Sequence, residues 1–193
     1  MAEIIPRWEW RHFADKINLA INLDDYKKTR HVESSEYYVL SRVCDENPKI
    51  RENKMDIKSL QQVNEYWLEQ WKPIKKVEFP LPKDAMIELY RIFRISPPEL
   101  TQDQYSIEQF LEMAKNDERL MVFNVKKIRD LYDVDGCIVE YAAVNVDGRE
   151  LITVAAELED PDKVKETVEK LGLWGKENIN YVKALKRIRS NTL

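Results

Sequence analysis

The stretch Lys49-Ile50-Arg51-Glu52-Asn53-Lys54-Met55-Asp56-Ile57-Lys58 decides how the rest of the chain is read. Lys49 and Arg51 alternate with Ile50, and Asp56 and Lys58 alternate with Ile57, so the sequence predicts two short strands joined by a tight turn. Successive side chains on a strand point to opposite faces. Lys49 therefore shares a face with Arg51, and Asp56 with Lys58. In an ordinary half-buried hairpin the charged face is wet and the apolar face covered. In the alternative, the charged face points into a closed barrel and holds a polyanion. Which applies depends on whether other strands show the same inversion.

Composition narrows the choice. The 193 residues carry 31 Lys+Arg against 35 Asp+Glu, a net charge of −4, whereas a general nucleic-acid binder is usually clearly basic. Nucleic acid is not expected as a partner, and any anion binding falls to local clusters. Charged residues at 34% and hydrophobic ones at 44% match a soluble globular chain, long enough for one domain over residues 1–193 with a sizeable core. With only 4 glycines there is no Gly-rich phosphate loop, so phosphate must be gripped by side chains. Cys44 and Cys137 form no metal-spacing motif and fit a reducing compartment, with a single disulfide left open. No apolar run reaches the length of a membrane span and no signal-peptide core opens the chain, so the expectation is a cytoplasmic protein without a membrane partner. The sequence says nothing of oligomeric state.

Along the chain, Ile4–Phe13 reads as a strand in which Arg7, Glu9 and Arg11 alternate with Trp8, Trp10 and His12. Ala14–Leu23 is read as a helix, and Asp24, Asp25 and the basic run Lys27–Arg30 as a solvated loop or helix end. Val32–Val43 is β-rich, with Arg42 on the face of Glu36, Tyr38 and Leu40. Leu60–Glu65 is read as a helical turn and Tyr66–Phe79 as extended, with Pro73 favouring an edge or a bulge. Met86, Leu89, Tyr90 and Phe93 have helical spacing within Lys83–Phe93. Ser106 with Gln109 forms a capping box before a helix ending near Lys115. Leu120–Tyr132, Cys137–Val146 and Glu150–Leu158 read as strands joined by the hairpin signals Asp135-Gly136 and Asp147-Gly148. Pro161 opens a helix to about Leu171, closed by Gly172. Asn180–Ile188 is the last helix. This pattern predicts an α+β fold, an eight-stranded antiparallel β-barrel with flanking α-helices.

Charges two residues apart recur on five strands: Arg7/Glu9/Arg11, Lys49/Arg51, Asp56/Lys58, Lys127/Arg129 and Glu157/Glu159, with Glu140 on a further one. A triphosphate needs several cations at once, and arginine adds a planar, bidentate grip on phosphate oxygens. Carboxylates beside phosphate repel it unless a divalent cation stands between, and Mg²⁺ or Mn²⁺ takes a few carboxylates plus phosphate and water. A closed barrel can aim such faces at one axis. Plainer roles stay open. Arg11 and Glu9 form a cross-strand ion pair of small worth if exposed. Glu157 and Glu159 favour the N-terminus of the helix after them. Arg42 is a surface residue, His12 a structural one, and Trp67, Trp71 and Trp174 belong to the core or a lid.

The order of these pairs resembles the CYTH superfamily, the triphosphate tunnel metalloenzymes, which includes thiamine triphosphatases, inorganic triphosphatases and class IV adenylate cyclases. Lys49-Ile-Arg51 resembles a basic pair of that family, Asp56-Ile-Lys58 the strand after it, and Lys127-Ile-Arg129 a later basic strand. Glu140 and Glu157-Leu-Glu159 resemble its acidic closing strands, and the likeness runs from about Ile4 to Leu173. The first strand departs from it. Where the family has Glu-x-Glu-x-Lys, this chain has Arg7-x-Glu9-x-Arg11, so Arg7 displaces a carboxylate. The resemblance implies a metal-dependent phosphohydrolase for inorganic triphosphate, thiamine triphosphate or a nucleotide, acting inside a charged tunnel. Arg7, Arg11, Arg42, Lys49, Arg51, Lys58, Lys127 and Arg129 would bind the substrate, and Glu9, Glu140, Glu157 and Glu159 would hold Mg²⁺ or Mn²⁺. No catalytic residue is singled out. The departure at Arg7 keeps two alternatives, a non-catalytic binder of a phosphate ligand or nucleotide, and an adenylate cyclase-like enzyme.

Overall fold

A computed structural model describes residues 6–193, so Ile4 and Ile5 of the expected first strand lie outside the described residues. The strands are β1 (Trp8–Ala14), β2 (Lys27–Ser41), β3 (Asn47–Arg51), β4 (Lys54–Val63), β5 (Glu69–Glu78), β6 (Leu81–Pro82), β7 (Gln104–Tyr105), β8 (Leu120–Val134), β9 (Cys137–Val146) and β10 (Arg149–Leu158). The helices are α1 (Lys83–Ile92), α2 (Ile107–Lys115), α3 (Pro161–Lys170) and α4 (Tyr181–Arg189). Eight strands close into an antiparallel barrel in the order β1-β10-β9-β8-β2-β3-β4-β5, and β6 pairs with β7. The expected fold class is the observed one. The chain packs as two compact units, one made of residues up to 34, 60–72 and 126–193, the other of residues 35–59 and 73–125.

In the second unit, β3 and β4 turn at Glu52 and Asn53, both at positive φ (49° and 61°), the twist a two-residue hairpin requires. Lys49 pairs with Asp56 and Ile50 with Met55. Ile50, Met55 and Ile57 join Val39 in a core with Met86, Leu89 and Tyr90 of α1 and Phe110 of α2. The capping box ahead of α2 is formed: the Ser106 hydroxyl accepts the Gln109 N–H, and the Ser106 N–H donates to Gln109 Oε1 at 2.8 Å.

In the first unit, Trp10, Val139, Val154 and Ala156 pack against Val164, Val168 and Leu171 on and just past α3. In each unit, then, one apolar face of the strands lies under helices, and charged side chains such as Arg11 and Lys49 sit on the alternate face among buried apolar ones such as Phe13 and Tyr38. That is the inversion the opening hairpin raised.

Three local expectations are corrected. Residues 15–22 are not helical, and a short 3₁₀ turn forms at Leu23–Asp25. The apolar positions Ile17, Leu19, Ile21 and Leu23 recur every second residue and edge the first unit's core, a spacing a helix cannot serve. The run Lys27–Arg30 is not a loop but the start of β2, held by Lys28 Nζ to Asp130 at 3.0 Å and Thr29 Oγ1 to the Leu131 carbonyl at 3.1 Å. Residues 60–63 continue β4 instead of forming a helical turn, and Gln62 donates to Gln70 of β5 at 2.7 Å. The two cysteines are free and buried, which closes the disulfide question. Among the described residues no helix is long and apolar enough to cross a membrane.

Gly172 ends α3 at φ +74°, and a Cβ there would meet Ala20 Cβ at 2.8 Å. Gly172→Ala is expected to destabilise the protein by about 1–3 kcal/mol through backbone strain and this clash. A thermal melt checks it, and an unchanged Tm would mean that the residue-20 segment yields without cost.

Candidate functional site

Arg11 is the centre of the first unit's charged face. It lies opposite Ala155 of β10, which in turn lies opposite Glu140 of β9. The small Ala155 lets the guanidinium reach across a strand. Arg11 Nη1 donates to Glu140 Oε1 at 2.8 Å, and its Nε donates to Glu9 Oε1 at 2.8 Å. Thr153 Oγ1 accepts from the same Nη1 at 3.3 Å. The strand backbone is pinned too: the Arg11 N–H donates to Asn178 Oδ1, and the Arg11 carbonyl accepts from the Ile179 N–H. The residue is 8% exposed. Burial opposes its charge, yet Glu140 and Glu9 outweigh burial and push its pKa well up. Glu140 is the mirror case. Burial favours its neutral form, and Arg11, Lys127 and Arg129 overcome that and hold it below the usual carboxylate range.

Two further cations of β8 join this face. Lys127, 4% exposed, places Nζ 3.9 Å from the ring centroid of Tyr181 in α4, the same ring that lies 5.0 Å from the Arg11 guanidinium carbon. Arg129 Nη1 lies 3.8 Å from Glu140 Oε2, and its Nε is buried without a hydrogen-bond partner. The neighbouring Lys126 and Ile128, on the other face of β8, are exposed.

The second unit carries its own charged face. Tyr38 pairs with Lys49 and Lys49 with Asp56, and Asn47 pairs with Lys58. Glu36 is fully buried, 3.6 Å from Arg51 Nη1. Burial lowers the Lys49 pKa; Lys58 and Arg51 push the same way, and Glu36 resists. A desolvated lysine among like charges stores energy that an arriving anion releases. Because its folded pKa is lowered, Lys49 weakens the fold while charged in both states, and the cost fades as pH rises through the folded pKa. Lys49→Met is therefore expected to stabilise the ligand-free protein at pH 7 by about 1 kcal/mol, a Tm rise of roughly 2–4 °C at this chain length. The gain should shrink at alkaline pH, and a fall in Tm at pH 7 would contradict the account.

The remaining expected residues are scattered. Arg7 is largely exposed and pairs with Glu157 at 3.1 Å. Glu159 is exposed past the end of β10, next to Asp160, which caps α3 through the Asp162 and Lys163 N–H groups. Arg42 lies past the end of β2, exposed, with Nε donating to the Glu118 carbonyl at 2.8 Å. Glu159 and Arg42 are thus brought to neither face. The four expected metal ligands are not gathered either: Glu9 and Glu140 flank a guanidinium and Glu157 pairs with Arg7. Among the described residues no group of three His, Cys, Asp or Glu is placed to hold a metal ion.

Sequence reading missed two residues. Glu69 of β5 lies opposite Glu9, which itself lies opposite Glu157. It is 3% exposed and accepts from Asn180 Nδ2 at 2.9 Å and Lys183 Nζ at 3.1 Å. Its place two residues before Trp71, on the same strand face, was the available signal. Tyr181 gave none, because its place beside Arg11 and Lys127 depends on how α4 packs.

No protein-family model and no curated protein sequence matches the chain. Solved structures do share its fold. HpAC1 from Hippeastrum, described as an adenylyl cyclase with a dominant triphosphatase activity, superposes at a TM-score of 0.52 with 12% identity over 97% of each chain. A conserved hypothetical protein from Pyrococcus furiosus gives 0.46 with 16% identity, covering 91% of this chain and 98% of that one. A Bacillus halodurans protein described as an adenylate cyclase gives 0.41 with 11% identity, covering 91% and 96%. At this identity the likeness to HpAC1 is one of fold.

Proposed function

We propose that the chain binds the triphosphate group of a small molecule on the cation-bearing strand faces and cleaves it with the help of a divalent cation. The observation that carries this reading is the pairing of buried Lys127 with Arg129, whose Nε is buried without a partner. Folding desolvates a guanidinium N–H only at a cost, and phosphate oxygens are the acceptors that repay it. In this reading Arg11, Lys127 and Arg129 of the first unit grip phosphate, and Lys49, Arg51 and Lys58 are proposed as phosphate contacts on the second unit's own face.

The fit to a metal is partial. Glu9 and Glu140 each give one oxygen to Arg11, and Glu157 makes a half-exposed pair with Arg7. Mg²⁺ commonly takes one or two carboxylates and completes its shell with substrate phosphate and water. Glu9, Glu140 and Glu157 suit that role only with substrate present. A bound divalent cation would shield phosphate charge and lower the pKa of an attacking water.

A second reading, binding without turnover, is favoured by the way Arg11 bridges Glu9 and Glu140, which offsets part of their charge without metal. Phosphate release from inorganic triphosphate and from ATP, with Mg²⁺, with Mn²⁺ and with chelator, separates the two. Metal-dependent release is expected. Tight binding with no release would establish the second reading, and cyclic AMP from ATP would establish a cyclase.

A further inference from the structure

Strand β2 is 15 residues long, but its partner β3 has only 5. Their register sets Tyr37 opposite Ile50 and Tyr38 opposite Lys49, and β3 ends at Arg51, where the chain turns back through Glu52 and Asn53. Residues 27–33 of β2 therefore run on past that turn. Strand β8 lies along one side of β2, and among the described residues no barrel strand pairs with the other side of this stretch. Such an edge offers a row of backbone N–H and C=O groups that can take on another strand.

The edge is preformed, not loose. Lys28 Nζ and His31 Nδ1 both meet the Asp130 carboxylate of β8, at 3.0 and 2.7 Å, and Lys28 Nζ also lies 5.4 Å from the Tyr132 ring centroid. Thr29 Oγ1 donates to the Leu131 carbonyl at 3.1 Å. None of residues 27–33 is Gly or Pro and none has a positive φ, so neither a proline nor a glycine bulge blunts the edge. Their side chains are exposed on both faces of the strand, apart from half-buried Val32. The stretch thus buries little in the core, yet its backbone is already extended, which lowers the entropy lost when a second strand is added.

Charge selects the occupant. The stretch carries Lys27, Lys28, Arg30 and His31 against Glu33 alone. A second copy of the chain laid antiparallel on the same edge would bring these cations together, and like charges facing across two strands are destabilising. An acidic strand would turn the same row into cross-strand ion pairs. Lys27 and Arg30 are open to it: both are exposed, and among the described residues neither has a carboxylate partner. We infer that residues 27–33 of β2 dock an acidic, extended segment of a partner protein, which joins the sheet as a further strand. This surface shares no residue with the proposed phosphate contacts.

The test is fluorescence anisotropy with labelled peptides of alternating Glu and Thr, of alternating Lys and Thr, and of the Glu–Thr sequence N-methylated at alternate backbone nitrogens. The Glu–Thr peptide is expected to bind saturably and the Lys–Thr peptide not to bind. The N-methylated peptide has the same charge but has lost half its backbone donors, and is expected to bind about tenfold or more weakly, the effect of losing one or two net hydrogen bonds. Lys27→Glu/Arg30→Glu is expected to abolish binding of the Glu–Thr peptide and to admit the Lys–Thr peptide. Both residues are exposed, so the variant should fold, which circular dichroism checks. The inference is overturned if the Glu–Thr peptide does not bind, if the N-methylated peptide binds as tightly, or if the variant binds as the wild type does. An oligothymidylate that displaces the peptide and loses its own affinity in the variant would assign the row to nucleic acid and also overturn it. So would a wild-type dimer, seen by analytical ultracentrifugation, that the variant abolishes.

Discussion

Arg11→Met is expected to destabilise the protein by about 3–5 kcal/mol, the range for removing one partner of a buried ion pair. The cost comes from what stays behind. Glu140 is largely covered, its side chain 14% exposed, and without Arg11 it loses its nearest counter-charge, with Lys127 and Arg129 left as weaker ones. Denaturant unfolding measures the loss as a lower midpoint. The double variant Arg11→Met/Glu140→Gln is expected to recover part of it, because the stranded charge goes too. The pH dependence has a definite sign. In the wild type the Glu140 pKa is depressed by folding, so its contribution is present above the unfolded carboxylate value of about 4.3 and is lost as pH falls through the folded value. In Arg11→Met that support weakens, so the gap between wild type and variant should narrow on acidification. A gap that is constant from pH 7 to pH 3 would show that Glu140 is not coupled to Arg11.

Arg129→Ala is expected to weaken triphosphate binding by about 1.5–3 kcal/mol, roughly ten- to 150-fold in Kd, with little change in stability. The separation of the two effects follows from geometry. Its closest carboxylate contact is a loose 3.8 Å and its Nε has no internal acceptor, so the fold gains little from the guanidinium. The exposed neighbour Lys126, on the opposite face of β8, is the control: Lys126→Ala should leave affinity unchanged. If Arg129→Ala binds triphosphate as the wild type does, Arg129 is an ordinary charge and the phosphate role fails there.

Much of the fold was legible because it is encoded locally. Asp135-Gly136 and Asp147-Gly148 form hairpins at positive φ, and Ser106 with Gln109 caps α2 within a few residues of chain. The period-2 alternation of Lys49, Arg51, Asp56 and Lys58 also survives folding, because Ile50 and Ile57 need the helix-covered face. What was not legible depends on distant partners. Lys27–Arg30 looked like a solvated run until Asp130 and Leu131 of β8 supplied its contacts. Residues 15–22 looked helical because their exposed polar members hid the alternation of Ile17, Leu19 and Ile21. For the candidate site, Arg11, Glu9, Glu140, Lys127 and Arg129 were named from sequence and do converge. The role of Arg11 as the bond between the two carboxylates was not visible, because it needs Ala155 to stand between them. Trp67, read as core or lid, is instead an exposed ring fixed by a turn whose bonds come from Asn64 and Asn178.

The most direct measurement is a calorimetric titration of inorganic triphosphate into the unmodified protein and into Lys126→Ala and Arg129→Ala, at one ionic strength, with and without Mg²⁺. Saturable one-to-one binding is expected in the wild type and in Lys126→Ala, tightened by Mg²⁺ and sharply weakened in Arg129→Ala. No saturable binding, or equal weakening in Lys126→Ala and Arg129→Ala, would contradict a triphosphate site on the inverted charged face.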